Sequence, residues 1–306
     1  MKRIFILCGF IVAVTAGVTT AEGQRTPEYS VYLGGGVSTL RYQPETGDKR
    51  FWNGGGLLGI GFNYLFTSRF GFVTGAEISS YSATVTAGNA TCSYATSDPQ
   101  GVPFVLNSVV SHFREKQQVV LLNVPIMFQY QHGKGLHKFY IAGGGKIGVF
   151  SVLSRYSNDG ATLQTSGEFD SERQFSDEAM QELGFGDFTA PALSGNFPVQ
   201  PCVTASVETG MRWRFNKNTR LYTGIYFDFG LTEIRRKKEN APMVRYHSDT
   251  RNYTINSAIA TADKVTPLAA GIIVRFAFGP NQTRGRAVSS PDIFMKAPTR
   301  GSKKPK

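Results

Sequence analysis

Eight segments of the chain alternate apolar and polar side chains with a period of two. Successive side chains of a strand point to opposite faces, so each segment predicts a strand with one uniformly apolar face. The clearest is VVLLNVPIMFQYQ at 119–131, and the others lie at 29–40, 58–66, 70–79, 139–150, 203–215, 221–231 and 268–278. Alternating segments of about ten residues are the sequence signature of transmembrane barrel strands.

The connections between these segments alternate in length. Short polar turns follow the second, fourth and sixth strands, at 67–69, 131–138 and 216–220. Long connections follow the first, third, fifth and seventh strands, at 43–52, 83–115, 155–200 and 235–265. This asymmetry is typical of the periplasmic and extracellular ends of an outer-membrane barrel. We therefore predict an all-β fold, an eight-stranded antiparallel up-and-down transmembrane β-barrel with four long extracellular loops.

A soluble β-sandwich is the alternative, because its strands also alternate. Aromatic side chains favour the barrel, since many fall on the apolar face close to the short turns. A girdle of aromatic residues at one depth is typical of a membrane interface. The predicted girdle consists of Phe66, Phe70, Phe72, Phe128, Tyr130, Phe139, Trp213, Phe215, Phe276 and Phe278.

The N-terminus indicates export. Lys2 and Arg3 precede an apolar run at 4–18, and small residues, Ala21 and Gly23, follow it. This pattern predicts a signal peptide at 1–23 with cleavage near Gln24, because the run is too short for a spanning helix. The barrel would then occupy 24–278 in the cell outer membrane of a Gram-negative bacterium.

Residues 279–306 carry seven basic residues and one acidic residue, with frequent proline, glycine and serine. This composition predicts a disordered periplasmic tail. The tail is either simply solvated or makes an electrostatic contact with the cell wall or a periplasmic partner.

A proline interrupts the apolar strand at 119–131. Pro125 has no N–H to donate, and a closed barrel has no edge strand in which that loss is harmless. We expect Pro125 either to remove a ladder hydrogen bond or to sit at a bulge, with its ring towards the lumen.

Charged residues fall on the predicted lumen face of several strands. Glu77, Lys146, Glu208 and Asp228 lie at similar depth, with Arg212, Arg214 and Arg275 on the same face. They form either the selectivity ring of a small-solute porin or a salt-bridged plug. An eight-stranded barrel is only wide enough for side chains, so we favour the plug, with Lys146 central among the acids. Further bulky side chains expected inside are Tyr140, Phe150, Tyr222 and Tyr226.

Two cysteines remain after the predicted cleavage site, Cys92 and Cys202. Both belong to the extracellular end, where an oxidising compartment permits a disulfide. Pairing and two free thiols both stay open, because spacing does not fix connectivity.

Two long connections carry opposite charge. Residues 155–200 have a net charge of −6 and residues 235–264 one of +4. They either neutralise each other or bind a partner or lipopolysaccharide, with RRKK at 235–238 as the expected contact. A short helix is expected at 176–183, where Ser176 would cap the start and Gly184 the end.

Enzyme motifs are weak. GGGLLG at 54–59 opens a strand rather than a helix, and GGGKIG at 143–148 lacks the serine or threonine of a P-loop. None of the four histidines belongs to an evident serine–acid arrangement. We therefore expect no catalytic residues, no cofactor, no metal site and no nucleic-acid partner.

The run LLNVPIMFQYQ, a turn and KFYIAGGGKIGVF resemble the Gram-negative outer-membrane β-barrel domain family, over about residues 29–278. The resemblance implies an eight-stranded OmpA-type barrel. The chain departs from full-length OmpA architecture, because only 28 residues follow Phe278 where a peptidoglycan-binding domain would be expected. It implies little about activity, because the family includes a PorT-like component of type IX secretion. The resulting hypothesis is a non-enzymatic outer-membrane protein with a structural or interaction role through its loops and tail. The alternatives are a secretion or assembly component and a small-solute porin.

Overall fold

The computed structural model describes residues 26–43, 49–98, 101–133, 135–170, 173–175, 184–236, 243–247, 252–262 and 264–279. The expected signal peptide, the expected helix at 176–183 and the basic tail beyond Gly279 lie outside these residues. Within them, no helix is both long enough and apolar enough to cross a membrane.

Strands dominate the described residues. They are β1 (Thr26–Arg41), β2 (Lys49–Trp52), β3 (Gly54–Leu65), β4 (Phe70–Ser97), β5 (Pro103–His132), β6 (His137–Asn158), β7 (Ala161–Asp170), β8 (Arg173–Phe175), β9 (Gly186–Ala190), β10 (Ser194–Asn196), β11 (Cys202–Arg214), β12 (Thr219–Gly230), β13 (Val244–His247), β14 (Asn252–Ile255) and β15 (Thr266–Phe278). One short helix, α1 (Ala258–Thr261), precedes β15. Every described strand pairing is antiparallel, so the predicted all-β antiparallel fold is confirmed.

The strands that contain the eight alternating segments pair in a cycle, which we call the strand ring. Its order is β1, β3, β4, β5, β6, β11, β12 and β15, and β15 pairs again with β1. The first ladder residues of β1 and the last of β15 lie at the same end as the three short turns, with Tyr29 opposite Phe278. We call this the short-turn end.

Apolar side chains cover the outside of the strand ring. Phe128 and Ile272 keep 68% and 65% of their surface exposed, although both lie within strands that are paired on both sides. Of the predicted girdle, Phe66, Phe70, Phe128, Phe139, Phe215, Phe276 and Phe278 are exposed. The other three pack edgewise or tilted against rings next to them: Phe72 on Phe128, Tyr130 on Phe70 and Trp213 on His137.

Pro125 coincides with a gap in the β4–β5 ladder. Pairing runs from Phe70 to Thr74 and resumes at Glu77, so the two residues between them have no partner opposite Val124 and Pro125. On its other side Pro125 pairs in register with Lys146 of β6. The prediction that the proline removes ladder pairing is confirmed, and the equal gap on both strands shows that no bulge is needed.

Phe150 departs from its predicted orientation. β6 has register shifts against β5, so Leu122 pairs with Phe150 while Asn123 pairs with Gly148, and Val149 is left over. One extra residue moves the following side chain to the other face. Phe150 is consequently 49% exposed on the outside of the ring instead of filling its interior.

The expected loop at 83–115 is mostly strand. β4 and β5 continue as a paired hairpin to Ser97 and Pro103. The hairpin breaks its pleat where His112, at φ 59°, lies across from Gly88. On β5 the buried positions are odd-numbered on the ring side of this break and even-numbered beyond it, as Phe104 and Leu106 show. The sequence predicted a loop here because the apolar residues change face at the break, which interrupts the period-two alternation.

The other long connections also contain strands. β2 lies in the first, β7, β8, β9 and β10 in the third, and β13, β14 and α1 in the fourth. Together with the outer part of the β4–β5 hairpin they form what we call the cap. Its core includes Phe104, which packs against Phe169 and Phe185. This apolar core is continuous with Tyr226 and Ile273 inside the ring.

Candidate functional site

Lys146 joins two acids in the interior of the strand ring. Its Nζ lies 2.8 Å from Glu77 Oε1 and 2.8 Å from Asp228 Oδ2, and all three side chains are almost fully buried. Ser79 donates to Glu77 at 2.7 Å, and Ser206 donates to Asp228 at 2.6 Å. Ser206 thereby holds the second oxygen of Asp228, and Glu77 Oε2 accepts from Lys146 Nζ at 3.0 Å and from the Tyr32 hydroxyl at 3.2 Å. Both oxygens of each acid are held, so this is a tightly fixed three-residue ion cluster.

Glu208 does not join that cluster. It pairs instead with Arg275, whose Nη2 lies 2.7 Å from Glu208 Oε2. The Tyr140 hydroxyl donates to the other carboxylate oxygen at 2.7 Å. The guanidinium of Arg275 also lies over the ring of Tyr32, 4.9 Å from its centroid.

A third group lies towards the short-turn end, around Glu28. Arg212 and Arg220 approach the same oxygen, Glu28 Oε1, at 3.3 and 3.1 Å. The Tyr222 hydroxyl donates to Glu28 Oε2 at 2.7 Å. Sequence reasoning missed Glu28 and Arg220, although each shares the face of an inward tyrosine, Glu28 with Tyr32 and Arg220 with Tyr222. An even number of residues separates each of them from its tyrosine, and this spacing could have predicted that both point inwards.

The charges inside the strand ring are balanced. Apart from Glu115, which contacts the cap, four buried acids face four buried bases among the described residues of the ring strands: Glu28, Glu77, Glu208, Asp228, Lys146, Arg212, Arg220 and Arg275. Each of the four bases contacts at least one of the four acids. A selectivity ring would present charges to water, whereas these charges satisfy one another. The arrangement is that of a packed plug.

Small residues make room for the plug. A Cβ added at Gly59 would lie 2.4 Å from Cζ of Tyr32, whose hydroxyl donates to Glu77 Oε2 at 3.2 Å. Glycine at this position is therefore required by the close approach of the tyrosine ring.

A buried carboxylate ties the cap to the hairpin. Glu115 of β5 is fully buried and accepts hydrogen bonds from Ser257 Oγ at 2.6 Å, the amide of Gln117 and Ala258 N–H at 3.2 Å. Burial raises the pKa of Glu115 above its ordinary value, and these hydrogen bonds oppose the rise.

The expected lipopolysaccharide contact at 235–238 requires the charge of Arg235 at the surface, but the structure buries it. The Arg235 guanidinium donates to Ile259 O at 2.7 Å and to Glu233. Arg236 is exposed, and positions 237 and 238 lie outside the described residues.

Cys92 and Cys202 are unbridged in the structure. Cys202 pairs with Gly148 of β6, which itself pairs with Asn123 of β5. Cys92 pairs with Ser108 in the outer part of the β4–β5 hairpin. The Cys92 thiol contacts Met243 of the cap at 3.9 Å.

No protein-family model matches the chain, and no curated protein sequence is significantly similar to it. The family resemblance of the 119–150 region therefore stays a prediction.

Solved structures of outer-membrane proteins are similar to the chain at low identity. OprG from Pseudomonas aeruginosa is 12% identical over 85% of this chain and 97% of its own, with a TM-score of 0.32. Ail of Yersinia pestis, solved with the heparin analogue sucrose octasulfate, is 7% identical over 82% and 99%, with a TM-score of 0.25. The translocator domain of the autotransporter NalP from Neisseria meningitidis is 8% identical over 90% and 95%, with a TM-score of 0.20.

Proposed function

We propose that the protein is an integral outer-membrane β-barrel whose eight ring strands span the bilayer. One observation carries the proposal: the strand ring exposes large apolar side chains on its outside and buries eight charged side chains in its interior. A water-soluble protein rarely exposes so extensive an apolar surface, whereas a bilayer requires it. The signal peptide predicted from the sequence supports export to that membrane.

We further propose that the barrel is closed and non-enzymatic, with a structural or interaction role through its cap and tail. The balanced ion plug fills the ring interior, and the apolar core above it continues into the cap. Water-filled conduction would require breaking several buried ion pairs. The end that carries the cap then faces outwards, and the short-turn end faces the periplasm, as the difference in connection length supports.

Membrane insertion and closure can be tested on the purified mature chain. A folded barrel is expected to migrate differently in detergent gels before and after boiling and to give a β-type circular dichroism spectrum. Water-soluble folding without detergent would contradict membrane insertion.

Closure is tested in planar bilayers. The wild-type protein is expected to give no stable conductance steps. A variant with a weakened plug, with Lys146→Ala, Arg275→Ala and Glu208→Ala together, serves as the comparison if it still shows heat-modifiable migration. Long-lived conductance steps from the wild type would favour the small-solute porin instead.

A further inference from the structure

A basic cleft lies on the outer surface, at the junction between the strand ring and the cap. It encloses about 870 Å³. Its floor is formed by β4, β5 and β6, and its walls by Asn53 next to β2 and by Asn196 of β10. The lipid contact predicted from the sequence lies elsewhere, at 235–238.

Three cations converge on the cleft: Arg114 and Lys116 of β5 and Arg155 of β6. Register places Arg155 opposite Gln118, whose Oε1 accepts from Arg155 Nε at 3.1 Å and from Nη2 at 2.8 Å. Two donors of the guanidinium thus share one acceptor oxygen, which orients Arg155 in the cleft. Of the described residues that line it, none is acidic. The neighbouring acid in sequence, Glu115, points to the opposite face and is buried in the cap.

The cleft continues the apolar outer face of the ring. Lys116 and Gln118 share that face with Val120 and Leu122, because side chains alternate along β5. Leu153 of β6 pairs with Val120, so Arg155 stands only about 7 Å beyond the level of an outward apolar residue. A molecule bound here would have its polar group on the cations and its apolar part on Val120, Leu122 and exposed Phe150.

Such a ligand must be amphipathic and anionic. Arginine and lysine favour phosphate, and guanidinium groups bind it through parallel hydrogen bonds. The amides of Asn53 and Asn196 and the hydroxyls of Ser82 and Ser157 suit the hydroxyl groups of a sugar.

We propose that the cleft binds the phosphorylated sugar headgroup of an outer-leaflet glycolipid, with the acyl chains along the apolar face of β5 and β6. The inference rests on the proposed membrane insertion, which sets the depth of the cleft at the headgroup layer. It identifies one defined site on the barrel wall, distinct from the loop contact expected from sequence.

The test uses the delipidated mature chain in detergent, with bound lipid counted by native mass spectrometry. The probes are lipid A with two phosphates, the same lipid without phosphates, and inorganic phosphate. The cleft variant is Arg114→Gln, Lys116→Gln and Arg155→Gln combined. The control, Arg236→Gln, Arg245→Gln and Lys264→Gln, removes three exposed cations from the fourth connection.

The cleft variant is expected to bind diphosphorylated lipid A roughly 100-fold more weakly than wild type, since each cation near a membrane surface contributes about a factor of five. The control should bind like wild type, and each single cleft substitution should weaken binding by about fivefold. Phosphate-free lipid should bind wild type as weakly as the cleft variant binds lipid A. Equal loss in the control and the cleft variant, or no loss in either, overturns the proposal.

Competition with inorganic phosphate distinguishes a site for a lipid phosphate from a site for free phosphate. Failure of millimolar phosphate to displace lipid A supports a lipid site, whereas complete displacement would identify a free-phosphate site and overturn the lipid assignment. Heat-modifiable migration is measured on every sample. If every sample lacks heat-modifiable migration, the proposed membrane insertion is wrong. If every sample retains it, the binding measurements test only the proposed lipid site.

Discussion

Lys146 Nζ lies 2.8 Å from Glu77 Oε1, although β5 separates the strands that carry them. The two side chains therefore meet across the interior of the ring rather than along its wall. The same ammonium group reaches Asp228, which lies beyond β11 on the other side. One lysine thus connects three strands that share no ladder with one another.

Replacing Lys146 with methionine should lower the free energy of unfolding by about 3–5 kcal/mol, because two buried carboxylates lose their partner. The measurement is the urea midpoint of heat-modifiable migration in detergent. Lys217→Met is the control, since Lys217 is exposed in a short turn and should leave the midpoint unchanged.

A variant without any charge in the Lys146 cluster tests whether uncompensated charge, rather than lost packing, causes the destabilisation. Adding Glu77→Gln and Asp228→Asn to Lys146→Met removes all three charges and should recover much of the lost stability, because no uncompensated ion remains. A triple variant as unstable as the single one would show that the charges are not what stabilises this site.

Gly59→Ala should destabilise the barrel by about 1–3 kcal/mol, because the added methyl group must displace the Tyr32 ring from Glu77. Gly143→Ala is the matched control, since a Cβ there meets nothing within 4 Å. Chemical denaturation of both variants measures the difference. Equal midpoints would mean that the plug tolerates movement of Tyr32.

Glu115 should make stability depend on pH. Burial raises the pKa of Glu115 in the folded protein, so the folded state binds this proton more tightly than the unfolded chain. Its contribution is therefore most favourable below the ordinary carboxyl pKa and declines as the pH rises through the raised value. Urea midpoints measured across this range should fall less steeply with rising pH in Glu115→Gln than in wild type.

Asp187→Asn controls for that experiment, because Asp187 is an exposed acid of β9 in the cap. Its pH profile should follow that of the wild type. If Glu115→Gln also follows the wild type, Glu115 does not set the pH dependence.

Cys92 and Cys202 should not be joined by a disulfide in the mature protein. The structure leaves them unbridged, with Cys92 on the outer hairpin opposite Ser108 and Cys202 on the ring opposite Gly148. Alkylation after unfolding without reductant should therefore modify both. Recovery of a peptide that joins the two cysteines by mass spectrometry would contradict this.

Alternation in the sequence was sufficient to locate the ring strands and most inward charges. It did not assign the partners: Lys146 was expected near Glu208, yet Arg275 takes that acid. Which ion-pair partners meet across the ring depends on the stagger of many strands and on the reach of the side chains. Neither can be predicted from the sequence of a single strand. Arg220 was missed because it was assigned to a turn, although it lies within β12.

The sequence by itself determined which face of each ring strand is apolar, because that property is local and repeats every second residue. Only the tertiary structure decided the orientation of Phe150, the strands of the cap and the convergence of Arg114, Lys116 and Arg155. Each depends on a register shift, a change of face at His112 or a pairing between distant strands. A single unpaired residue reverses every side chain beyond it, and its position is set by the neighbouring strand.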